Sequence, residues 1–205
     1  MIARSLLGLS VLLLGACVSA PRGVPVLGSA TLAEDFDSYT IRRVGVVPFS
    51  GTDDFTPAES TELTAAVFGE LSSVSSYEVV PLATNDLAEV PTSQPYRRGW
   101  YRPETVLGIA RRYQLDAILI GTVTDRQCFP PQRLAISVDL VAAETGMVIW
   151  SSAVQLDASQ ARTRRAVESW ARIHLGAAEE NEWELILLQP RRFMRFAAFQ
   201  VSELL

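Results

Sequence analysis

Lysine is absent from this chain: all 18 basic side chains among its 205 residues are arginine, set against 23 acids. There is one histidine, His174, and there are two cysteines, Cys17 and Cys128. Such a set cannot furnish a zinc site of the usual kind, whose ligands are drawn chiefly from several Cys and His side chains. No Gly-x-Ser-x-Gly elbow and no glycine-rich phosphate loop occurs. The acid excess argues against nucleic acid as a partner. What remains is a chain that is 48% hydrophobic, enough to bury a core of one domain.

The N-terminal apolar run is also short. Leu6 to Leu14 follows Arg4. It is too short to span a bilayer as a helix and has the length of a signal-peptide core. It ends in Leu14-Gly15-Ala16-Cys17, with small residues before the cysteine. The tetrapeptide resembles the lipobox of bacterial lipoproteins. That resemblance implies a signal peptide over 1–16, lipid on Cys17 as the first residue after processing, and a membrane anchor. The covalent lipid would be the sole attached group; no cofactor is expected. An ordinary cleaved signal peptide or an uncleaved anchor is the competing reading. Without residues 1–16, 17 arginines face 23 acids, a formal charge of −6. A lipidated Cys17 leaves Cys128 without an intrachain partner. Cys128 is then either packed as a small apolar residue, which is the expectation, or free to pair between chains.

Residues 17–40 carry Pro21, Gly23, Pro25 and Gly28 with no visible period, and read as a flexible tether. Stretched out, such a segment reaches about 75 Å at most. The domain proper is expected over 41–175. Val44 to Val47, stopped by Pro48, predicts a strand. Thr56-Pro57-Ala58-Glu59 predicts a helix start with a capping box, and Leu63, Ala66, Val67 and Leu71 continue at helical spacing. Tyr77 to Val80 predicts a second strand. Pro103 opens a second helix, and Ala117 to Val123, apolar on both faces, predicts the central strand. Arg126 to Arg133, with Cys128, reads as loop. Leu134 to Gln155 alternates as a hairpin that turns at Glu144-Thr145-Gly146, with Val148, Trp150 and Val154 on one face. A third helix follows, with His174 expected on its inner side. Trp183 to Leu188 reads as a short strand or helix end. The segment 176–205 ends in an amphipathic helix from Pro190, expected to pack on the domain. The fold class is therefore α/β: a mixed sheet of about five strands, three from βαβαβ plus a C-terminal antiparallel hairpin, with helices on both faces.

Two arginine clusters are candidate partner contacts. One is Arg97, Arg98, Trp100 and Tyr101, read either as rings lying back on the domain or as a loop that meets an acidic protein surface. The other is Arg191, Arg192 and Arg195, at the start of the last helix. Cations there oppose the helix dipole by a few tenths to about 1 kcal/mol each. Something should offset them: acids such as Glu179, Glu180 and Glu182, a partner, or lipid phosphates.

The order of elements, with Val44-Gly45-Val46-Val47-Pro48-Phe49, Ala117-Ile118-Leu119-Ile120-Gly121-Thr122-Val123 and Val138-Asp139-Leu140-Val141-Ala142-Ala143-Glu144-Thr145-Gly146-Met147-Val148-Ile149-Trp150-Ser151, resembles a known family. It is the domain shared by the TolB N-terminal region, the curli secretion-channel lipoprotein and the penicillin-binding-protein activator LpoB. The resemblance covers 41 to 175. It implies a periplasmic domain used for protein contacts, without catalytic residues. Val18 in place of Asp after the lipidated cysteine implies the outer membrane under the enteric sorting rule. The expected function is a non-catalytic envelope lipoprotein within a larger machine, its partners being the membrane and envelope proteins, with a homo-oligomer open. A secretion-channel subunit is the alternative, and a hydrolase using His174 the second alternative.

Overall fold

The computed structural model describes residues 23–83, 103–176 and 182–205. One six-stranded mixed sheet runs through them in the order β1-β6-β5-β4-β2-β3. The strands are β1 Gly28–Leu32, β2 Arg43–Val46, β3 Glu78–Pro81, β4 Ala117–Gln127, β5 Arg133–Ala142 and β6 Val148–Asp157. The helices are α1 Pro57–Val74, α2 Pro103–Tyr113, α3 Ala161–His174, α4 Glu184–Leu188 and α5 Pro190–Ser202. β2 lies parallel to β3 and β4, and the remaining pairs are antiparallel. Pro81 lacks a donor and ends β3 at the sheet edge, where a strand tolerates it.

The central strand is where its sequence places it. β4 sits between β2 and β5, and Ala117 to Val123 are buried. Leu119 and Val123 join a core formed with α1, α3, α4 and α5, whereas Ile118 and Ile120 pack under α2 with Val106 and Ile109. Gly121 is required by a close approach. A Cβ there would stand 2.1 Å from the Phe49 ring. Phe49 is held in turn by α1: its N–H donates to Thr64 Oγ1 and its carbonyl accepts from Ser60 Oγ.

Helix α1 begins as its sequence dictates. Thr56 Oγ1 accepts from the Glu59 N–H, the Glu59 carboxylate accepts from the Thr56 N–H, and Pro57 fills the first turn. Gly146 turns the β5–β6 hairpin at φ 69°.

Four expectations need correction. The sheet has six strands rather than about five, because Gly28–Leu32 is not tether: it pairs antiparallel with β6. Arg126 and Gln127 belong to β4 and not to a loop. The register shifts between Leu140 and Val141, so that Ile149 and Trp150 both face the larger core while Val148 turns to the α2 side. One inserted residue changes the phase of a period-two pattern, and alternation alone cannot announce it. His174 is exposed and not on the inner face of α3. Its ring rests 4.8 Å from the Phe199 centroid.

The segment that carries Pro25 and Leu27 and the C-terminal helix are both built onto the core. Phe193, Phe196, Phe199 and Val201 of α5 lie in the same cluster as α1, α3 and the sheet. Two buried glutamines fix these segments. Gln132 Nε2 donates to the Leu187 carbonyl at 3.0 Å. Gln200, fully buried, accepts from the Leu27 N–H at 2.6 Å and donates to the Pro25 carbonyl at 3.1 Å. Trp150 Nε1 donates to the Leu204 carbonyl.

Candidate functional site

Helices α1 and α5 pack side by side over the sheet, and an open groove of about 1070 Å³ lies along them. The α5 wall carries Arg191, Arg192 and Arg195. The α1 wall carries Glu62 and Glu70, and beside them Thr61, Ala65, Gly69 and Ser73 recur every fourth residue. Residues four apart share a helix face, so this stripe is continuous and shallow. At Gly69 an added Cβ would meet nothing within 4 Å.

The charges of the groove are incompletely matched. Arg191 is ion-paired with Glu62, so Glu62 supplies the offset expected for the first turn of α5. Glu182 lies in a neighbouring cleft of about 260 Å³ with Arg192, Arg195 and Trp170, but pairs with neither arginine. Among the described residues, Arg192, Arg195 and Glu70 have no side-chain partner. The Trp170 indole N–H, buried beside that cleft, also lacks a hydrogen-bond acceptor.

A second cluster lies at the far end of β4. Arg126 bridges Asp54 at 3.2 Å and Glu59, the capping-box acid. Burial pushes the Glu59 carboxyl up, but the hydrogen bonds from Thr56 and Arg126 outweigh it and hold the acid below its ordinary value. Cys128 stands half-buried beside them, with its thiol 4.0 Å from Glu59 Oε1. Burial pushes the Cys128 thiol up against the opposing pull of Arg126. The arrangement reads as an ionic clasp joining the start of α1 to β4. Next to it, at the tip of the β4–β5 connection, Phe129 is 80% exposed.

The structure thus brings Arg191, Arg192 and Arg195 together on one wall. Leu14, Gly15, Ala16, Cys17, Arg97, Arg98, Trp100 and Tyr101 lie outside the described residues. Sequence reasoning missed Glu62, Glu70 and Gln200. The signals were small: a helix with Thr61, Ala65, Gly69 and Ser73 at a spacing of four, and a lone amide within the apolar face of α5.

These features define a class: an α/β domain with one mixed sheet, most of its helices on one face, and a charged inter-helix groove. No family model and no curated protein matches the chain. Among solved structures it is similar to the PelC dodecamer from Paraburkholderia phytofirmans, at 14% identity over 68% of this chain and 89% of that one, with a TM-score of 0.46. It is also similar to the LpoB C-terminal domain from Salmonella enterica, at 17% identity over 58% and 86%, TM-score 0.39. A third is lipoprotein GNA1162 from Neisseria meningitidis, at 20% identity over 56% and 79%, TM-score 0.39. LpoB is thus both a member of the resembled family and a structural neighbour. These likenesses are of chain path, and they assign this chain no role.

Proposed function

We propose that this chain is a non-catalytic envelope lipoprotein, anchored through Cys17 at the outer membrane, facing the periplasm and acting as an assembly component through protein contacts. One observation carries the assembly role. The α1–α5 groove presents opposite charges on its two walls, and three of these charges find no partner among the described residues. Charges so placed select and orient a protein partner more than they stabilise the fold.

The anchor reading gains geometry from Gln200. With Pro25 and Leu27 held to α5, only the residues before Pro25 are left to separate Cys17 from the body. Fully extended, that is about 27 Å. The body then works close to the membrane rather than at the end of a long tether. The channel reading asks for a hairpin free to enter a membrane. β5 and β6 are instead paired on both sides within the sheet.

In-cell photocrosslinking from position 69, combined with a fatty-acid probe, tests the proposal. The expected result is lipid label that disappears in Cys17→Ser, and a discrete protein adduct identified by mass spectrometry. Equal label on both chains would remove the anchor. An absence of protein adducts would remove the assembly role.

A further inference from the structure

We infer, resting on the assembly reading above, that the α1–α5 groove binds the same groove of a second copy of this chain. Among the described residues the groove has an acidic wall, with Glu70 unpaired, and a basic wall, with Arg192 and Arg195 unpaired. A twofold axis running along the groove turns each copy over so that its acidic wall lies above the partner's basic wall. Glu70 of each copy then faces Arg192 and Arg195 of the other, and both sets of pairs form at once. This is the self-complementary pattern of an isologous interface. A partner of single charge would match one wall and be repelled by the other.

The floor fits a helix as close neighbour. Thr61, Ala65, Gly69 and Ser73 keep the exposed face of α1 low, and the distance between packed helices is set by the side chains at their contact. Gly69 weakens a helix interior, and nothing in its own chain comes near enough to require it. An approaching second copy supplies that requirement. The Arg191–Glu62 pair stays within each copy and closes the groove at one point.

Charge exchange across the axis gives the test, on the full lipoprotein in detergent, by native mass spectrometry and sedimentation. Wild type should form a dimer. The variant Arg192→Glu with Arg195→Glu has two acidic walls, and Glu70→Arg has a basic residue on each wall. Each alone should self-associate about a hundredfold or more weaker, because like charges meet. Mixed together they should form a heterodimer, since every meeting is then opposite in sign. Gly69→Trp, which has open space in its own chain, should keep the melting temperature and lose the dimer. A monomeric wild type, or a dimer indifferent to all these changes, overturns the inference. A monomer that still crosslinks to another protein from position 69 in cells would overturn this inference while leaving the assembly role standing.

Discussion

Gln200 holds Leu27 across 173 residues of chain, through a carboxamide oxygen 2.6 Å from the backbone N–H. The same amide donates to the carbonyl of Pro25, so one buried side chain satisfies two groups of the entering strand. Gln200→Leu leaves both without partners, at roughly 1–3 kcal/mol for each one that stays buried. The expected outcome is a less stable protein with faster hydrogen exchange over residues 27–32. Unchanged exchange there would show that β6 alone secures β1.

Helix α5 is structural as well as exposed. Removing residues 190–205 strips Phe193, Phe196, Phe199 and Val201 from the core. At about 1.5–3 kcal/mol per fully buried side chain, the loss matches the whole stability of an ordinary domain. The truncated chain should fail to fold, as judged by circular dichroism and thermal melting. A truncated domain that melts cooperatively would contradict this packing.

Acid should loosen the Thr56–Glu59–Arg126 clasp. The folded carboxyl of Glu59 lies below its ordinary value of 4.5, so its contribution is complete above that value and is lost as pH falls through the folded pKa. Glu59→Gln should cost about 1 kcal/mol near neutrality. Its stability should then decline less than that of wild type on going into acid. Urea denaturation at neutral and acidic pH measures both effects. Parallel declines would mean that Glu59 is not the group responsible.

Gly69→Ala should stabilise the isolated fold. A methyl group at this position meets nothing in its own chain. Alanine is favoured over glycine within a helix by about 1 kcal/mol. A higher melting temperature is expected, and a lower one would mean that the backbone at Gly69 needs the freedom of glycine.

The elements readable in the sequence were those set by local chemistry. Thr56, Pro57 and Glu59 specify a helix start by themselves, and Ala117 to Val123 can only be a covered strand. β1 was not readable, because Gly28-Ser29-Ala30-Thr31-Leu32 has no period or bulk and becomes a strand only when β6 offers its edge. The phase of Val148 depends on a bulge that its own residues do not announce. At the candidate site, the arginines of α5 were visible as an anomaly of charge. Glu62, the partner of Arg191, was not, since it lies 129 residues earlier in the chain.

Leu27 and Gln200 are separated by 173 residues. Contacts so remote in sequence close late in folding. Until the final helix is in place, the clamp on the first strand does not exist. Docking of α5 then fixes Pro25 and Leu27 against the body. A chain cut short before residue 200 would lack the side chain that holds Pro25 and Leu27. Order at the first strand therefore reports that the last helix has docked.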